Sequence, residues 1–177
     1  MAYIGFRKLE AAELAANNTY GTPATIGKAV SMTITPNSAE GTLYGDDMAV
    51  EHDEAFTDAD IEIGATYIPV AMFQTLFGHT VATDEVTYDV DDAAPYVGLA
   101  AYAPKKVDGT EYWEAIFLPK VKFAEPESSY ETKGDSITYN TPTISGKAIA
   151  DSTGVWKVTK QCATEAEAQT WIAGQFS

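Results

Sequence analysis

A chain of 177 residues with 45% apolar and 21% charged side chains has enough apolar surface for one packed domain and too little charge density for global disorder. Its 26 acidic residues outnumber 11 basic ones, and the net charge of −15 excludes a protein that grips nucleic acid through clustered Lys and Arg. The single Cys162 excludes an internal disulfide, and no apolar run approaches the roughly 20 residues of a bilayer span.

The charge is unevenly placed. Between Ala29 and Pro104 there are 14 acids and not one Lys or Arg, whereas the flanking segments are nearly balanced. A one-signed field repels polyanions and repels other copies of the chain unless further contacts hold them together. Ten Tyr, seven Phe and three Trp, with many Thr, Val and Ile, favour strands over helices. No apolar run follows Arg7-Lys8, so the expectation is a soluble cytoplasmic protein without a leader and without a membrane partner.

In chain order, Tyr3–Phe6 reads as extended and Arg7–Ala16 as helix-prone, with Asn17-Asn18 and Tyr20-Gly21-Thr22-Pro23 as breakers. Val30, Met32 and Ile34 alternate with Ser31, Thr33 and Thr35, which is strand period. From Ala39 to Phe56 the turn signals at Gly41 and Gly45 and the crowded acids predict a long, solvated excursion with some strand character. Ile61, Ile63, Ala65 and Tyr67 then alternate with Glu62, Gly64 and Thr66 in a second strand. Pro69 suits the first position of a helix over about 69–77, with Val70, Phe73, Leu76 and Phe77 on one face and Gly78 as its stop.

An acidic patch follows (Asp84, Glu85, Asp89, Asp91, Asp92). Tyr96–Ala103 and Tyr112–Leu118 then flank Asp108-Gly109, a preferred pair for a tight hairpin turn. Lys120–Phe123 continues as strand, and Asp135–Ala150 reads as a long or bent strand with Pro142 and Gly146 as bulge points. Val155–Thr159 is a further short strand. Thr164 and Glu167 form a capping box that opens a C-terminal helix over about 165–173.

Catalytic chemistry is hard to find in this pattern. Asp58-Ala-Asp60-Ile-Glu62 loosely resembles a calcium loop, but Ile63 stands where that loop needs Gly and Pro69 where it needs Glu. His52 and His79 lie in different elements with no ligand spacing, and each is expected to be exposed or half-buried. Lys157 and Lys160 near Cys162 would lower its pKa, yet with no His nearby it reads as a packed side chain. No pair of carboxylates stands out for glycoside hydrolysis, and phosphate-binding, nucleophile-elbow and zinc motifs are missing. No enzyme, cofactor or metal is therefore expected. Tyr96, Tyr102, Tyr112, Trp113 and Phe117 could form a sugar-stacking platform, though adjacent hairpin strands more often use aromatics to pack against one another.

Two stretches stand out together: Thr42-Leu43-Tyr44-Gly45-Asp46-Asp47-Met48-Ala49-Val50-Glu51, and a run from Tyr96 through Ile149 with Trp113–Phe123 at its core and Tyr139-Asn-Thr-Pro-Thr-Ile-Ser-Gly146 after it. Both resemble the major tail tube proteins of long, non-contractile-tailed (siphovirus-type) bacteriophages, especially those of Gram-positive hosts. Tyr3-Ile4-Gly5 and Tyr20-Gly21-Thr22-Pro23 extend the likeness over nearly the whole chain.

The resemblance implies a mainly β, single tail-tube-type domain over 1–177: a β-sandwich or barrel with one packed flanking helix and a C-terminal helical segment. It implies a structural virion protein, assembled in the host cytoplasm into hexameric rings that stack into a tube. The phage DNA passes through without specific binding, and tape measure, tail terminator and distal tail proteins are further partners. By that analogy residues 1–28 form an N-terminal arm and about 39–58 the inter-ring loop, with Leu43, Tyr44, Asp46, Asp47, Met48 and Glu51 as its candidates. Asp46, Asp47, Asp60, Glu62, Asp89 and Asp91 are the candidate lumen-facing acids, since a carboxylate wall would let DNA slide. The alternatives are a monomeric carbohydrate- or protein-binding β-sandwich and the inner tube of a contractile injection system.

Overall fold

The computed structural model describes residues 2–45, 48–128 and 141–177, and they form a mainly β protein with two helices. The strands among them are β1 (Ala2–Tyr3), β2 (Arg7–Glu13), β3 (Ala24–Thr25), β4 (Ala29–Gly45), β5 (Met48–Ala65), β6 (Thr80–Ala82), β7 (Glu85–Thr87), β8 (Val97–Val107), β9 (Thr110–Phe123), β10 (Thr143–Ala148) and β11 (Val158–Cys162). The helices are α1 (Val70–Phe77) and α2 (Glu165–Gln175). Nine strands make one antiparallel sheet in the order β3-β2-β8-β9-β10-β5-β4, with β1 added to β8 and β11 to β9, while β6 and β7 pair separately.

The β8–β9 hairpin is the centre. Asp108 (φ 49°) and Gly109 (φ 86°) turn the chain as the Asp-Gly pair predicts. One edge of β9 follows β8 from Thr110 to Val121. Its other edge is divided: Trp113–Phe117 pair with β11, and Val121–Phe123 with β10. Apolar partners consequently cover both faces of the hairpin, and β8 is buried without interruption from Val97 to Lys105. One face carries the larger core, where Leu9, Ile61, Ile63, Leu99, Leu118 and Ile144 meet Met72, Leu76 and Phe77 of α1. Strands from across the sheet share that core, and β2 approaches β4 from the opposite end of the order, so the sheet curls like a barrel. The other face carries a smaller core in which Ala100, Tyr102, Phe117 and Cys162 meet Ala168, Ile172 and Phe176 of α2.

Several local expectations are corrected. Arg7–Ala16 is not helical: β2 lies inside the sheet between β3 and β8, with Leu9 and Ala11 in one core and Ala12 in the other. The helix propensity of its Ala, Leu and Glu residues is worth tenths of a kcal/mol each, less than ladder bonds and burial return at such a position. Lys8, at φ 53°, sits where the β2–β8 register shifts between Arg7 and Glu10. The N-terminal residues are thus built into the sheet: Tyr3 pairs with Lys105, and its hydroxyl donates to Glu114 Oε2 (2.7 Å), which also accepts from Lys105 Nζ (3.2 Å).

In α1, Pro69 occupies the cap position, Gly78 ends the helix at φ 80°, and Met72 is buried where Phe73 is only half-buried. Tyr67 lies past the end of β5 and is 55% exposed. Gly146 is no bulge, because β10 keeps regular register through it; a Cβ there would come within 2.7 Å of the Phe123 ring, which lies across it. Of the strand expected over Asp135–Ala150, Thr143–Ala148 is strand and residues 135–140 lie outside the described residues. The strand expected at Val155–Thr159 begins only at Val158, since Asp151 Oδ1 accepts the N–H groups of Thr153 (2.8 Å) and Val155 (3.0 Å) and holds that stretch in a turn. The α2 cap matches its sequence: Thr164 Oγ1 accepts from Glu167 N–H, and Glu167 Oε2 accepts from Ala163 N–H. Glu165 accepts from the Tyr102 hydroxyl (2.8 Å), which ties the helix to β8.

Opposite fates for two adjacent residues check this register. Ile61→Ala empties a fully buried site and is expected to cost about 2–5 kcal/mol in urea unfolding, while Glu62→Ala on the outer face stays within about 0.5 kcal/mol.

Candidate assembly surface

β4 and β5 pair from Ala29–Ala65 as far as Gly45–Met48. Only Ala59–Gly64 of β5 also pairs with β10, so beyond Ala59 the two strands run on as a ribbon with no third strand among the described residues. Nine residues from Asn37 to Gly45 give this arm a length of about 30 Å. Ala39–Thr42 and His52–Ala55 are all exposed. Glu40 stands directly opposite Glu54, and Thr42 opposite His52, with Oγ1 and Nδ1 3.1 Å apart. Phe56 at the base of the arm stacks on Trp156 (centroids 4.6 Å apart, planes at 15°), and Lys157 Nζ lies 5.3 Å from the Trp156 ring centroid.

The solvated excursion expected over 39–56, and with it the candidate inter-ring loop over about 39–58, is therefore paired strand wherever it is described. Leu43, Tyr44, Met48 and Glu51 have their backbones in this ribbon, with Leu43 opposite Glu51 and Gly45 opposite Met48. Asp46 and Asp47 lie outside the described residues.

Below the arm, β5 turns Ala59, Ile61 and Ile63 into the core and Asp58, Asp60 and Glu62 outward. Two of these acids share one ammonium within the chain. Lys147 Nζ on β10 lies 2.9 Å from Asp60 Oδ1 and 3.3 Å from Asp58 Oδ1. Asn37 Nδ2 donates to Asp58 Oδ1 (2.7 Å) and Asp60 Oδ2 (2.8 Å). The Asn37 amide first, and then the Lys147 ammonium, hold both carboxyls below the usual carboxylate range. Asp58-Ala-Asp60 is thus a strand segment bound to an ammonium rather than a calcium loop. Glu62 is exposed with no ion pair among the described residues.

Asp89 and Asp91 belong to a separate element, the β7–β8 connection, where both are exposed and Asp89 Oδ1 accepts from Asp91 N–H (3.0 Å). Asp92 points inward to His79, whose ring is buried, only 7% exposed, where its sequence context predicts an exposed or half-buried one. Both ring nitrogens lie 2.7 Å from carboxylate oxygens, Nδ1 from Asp92 Oδ2 and Nε2 from Glu125 Oε2. A neutral imidazole has a single N–H to donate, so only the imidazolium donates to both ionised carboxylates at once. Burial works against that charge, but the bonds to Asp92 and Glu125 outweigh it and raise the His79 pKa above its ordinary 6.5. Spacing could not reveal the trio, because its members come from three separate segments.

Cys162 is buried, and burial pushes its thiol pKa up, opposite to the effect expected from the neighbouring lysines. Tyr102 and Phe117 are buried in the α2 core, so the five hairpin aromatics form no common stacking platform. No group of His, Cys and acidic side chains able to hold a metal ion occurs among the described residues. No protein-family model matches the chain, and no curated protein sequence is significantly similar to it.

The His79 trio has a defined pH signature. With a raised folded pKa, its contribution to stability is full below about 6.5 and is lost as pH rises through the folded value. The difference in urea midpoint between the wild type and His79→Gln is therefore expected to be largest near pH 6 and to shrink towards pH 9.

Proposed function

We propose that this chain is a structural subunit of a phage tail tube that assembles into stacked, hexameric rings and has no catalytic role. The single observation that carries this reading is the β4–β5 arm. A long two-stranded ribbon, exposed at Ala39–Thr42 and His52–Ala55 and with no third strand on its edges among the described residues, is at best marginally stable in water and invites edge pairing. Contact with another ring would give it a layer to lie on. The arm also contains the Leu43–Glu51 segment that resembles the tail tube family, and it projects from a curled sheet with apolar cores on both faces.

The charge distribution is consistent with a conduit for DNA. Glu62, Asp89 and Asp91 are exposed without an ion pair among the described residues. A wall of such side chains would repel phosphates and release no counterions, so DNA would slide without being held. In this reading the protein resides in the virion tail, assembles in the host cytoplasm, and meets the tape measure, terminator and distal tail proteins at the ends of the tube. The rival carbohydrate-binding reading loses its support where Tyr102 and Phe117 are buried.

Electron microscopy of the purified protein is expected to find rings or tubes at moderate salt, where repulsion between acidic copies is screened. Replacing 39–55 by a short turn should leave a folded monomer that forms none. A wild type that stays monomeric at every concentration and salt, even beside a tail initiator complex, would rule the reading out. A second expectation concerns the bore: Glu62, Asp89 and Asp91 changed together to Lys should permit assembly but impair DNA ejection. Unchanged infectivity of such particles would place these acids on the outside.

A further inference from the structure

The arm has an electrostatic defect that another part of the same chain mirrors. Glu40 opposes Glu54 across the ribbon, Asp53 is exposed beside them, and no Lys or Arg occurs from Ala29 to Pro104 to offset them. On β9, Lys120 and Lys122 share one aromatic ring, their Nζ atoms 4.5 Å and 5.4 Å from the Tyr96 centroid. Lys122 also stands directly opposite Lys147 on β10. Like charges in directly opposed positions destabilise a strand pair. Lys147 is satisfied by Asp58 and Asp60, whereas Lys120 and Lys122 make no ion pair among the described residues. Each site therefore lacks the counter-charge that the other carries.

The two do not meet within one chain: no hydrogen bond or ion pair joins Glu40, Asp53 or Glu54 to Lys120 or Lys122, and the stack of Phe56 on Trp156 clamps the base of the arm. We propose that the Lys120–Lys122–Tyr96 platform receives the acidic arm of a second copy of this chain, with Glu40 and Glu54 of the arm meeting the two lysines. The half-covered Tyr96 ring, 37% exposed, supplies an apolar floor beneath the charges. Such a contact sets register and partner choice more than raw affinity, because exposed ion pairs are individually weak. The proposal rests on the tube reading for the assembly in which the copies meet, and on the chain's own charges for the contact.

Charge reversal separates the two claims. Lys120→Glu with Lys122→Glu, and separately Glu40→Lys with Glu54→Lys, should each lower the yield of sedimentable tubes by at least about tenfold, and the fourfold variant should recover to within about twofold of the wild type. Circular dichroism checks the fold of each, and Lys120→Gln with Lys122→Gln replaces the glutamate pair if that pair does not fold. Wild-type yield from the lysine variants, or no recovery in the fourfold variant, overturns the contact while leaving the tube reading intact. If the wild type forms no tubes, the tube reading falls, and sedimentation velocity decides the contact instead. Self-association lost in both double variants and restored in the fourfold variant supports it, and a wild type that is monomeric at every concentration overturns it.

Discussion

The division of one edge of β9 is the constraint on which the other features depend. Because β11 takes Trp113–Phe117 and β10 takes Val121–Phe123, the chain must bring two remote segments to one strand and aim them differently. The β11 branch carries α2 onto one face of the β8–β9 hairpin, and Tyr102, Phe117 and Cys162 are sealed there. The β10 branch carries β5 and β4 towards the opposite face, where Ile61 and Ile63 join the core that Met72, Leu76 and Phe77 of α1 also line. The arm is the continuation of that second branch. Its base is set by the β5–β10 ladder and by the stack of Phe56 on Trp156, so its direction is fixed by the body of the domain rather than by the arm.

Charge is distributed along the same lines. The 76-residue stretch without Lys or Arg is not uniformly unpaired, because the fold brings cations to it from elsewhere. Lys147 reaches Asp58 and Asp60 across one strand pair, and His79 is itself the cation for Asp92 and Glu125. Glu40 and Asp53 on the arm, and Glu62 on the outer face of the body, make no ion pair among the described residues and keep their full field facing solvent. A chain that brings a cation to some of its carboxylates and leaves others bare keeps a repulsive exterior.

Legibility varied with the range of the interaction involved. The Asp108-Gly109 turn, the Gly78 helix stop, the Thr164–Glu167 cap and the alternation of Ile61 and Ile63 with Glu62 all lie within a few residues, and each has a single low-energy solution. The arm was half-legible. Polar residues fall on both of its faces, so alternation carries no sign of which face is buried and the segment reads as a loop. Arg7–Ala16 misled for the opposite reason: its composition suits a helix, and only its central position between β8 and β3 makes it a strand. Of the candidate lumen acids, the strand register placed Asp60 and Glu62 on one outer face, but the neutralisation of Asp60 came from Lys147, 87 positions away.

By itself, then, the sequence determined the strand-rich class of the protein, its caps and tight turns, and the concentration of negative charge between Ala29 and Pro104, because composition and near-neighbour geometry are properties of the chain. Only the tertiary structure decided which acids stay bare, that His79 is buried between two carboxylates, that Tyr102 and Phe117 serve a core, and that the acidic segment is a paired two-stranded arm. Those outcomes depend on long-range strand pairing, and strand pairing joins residues whose separation along the chain leaves no periodic trace in it.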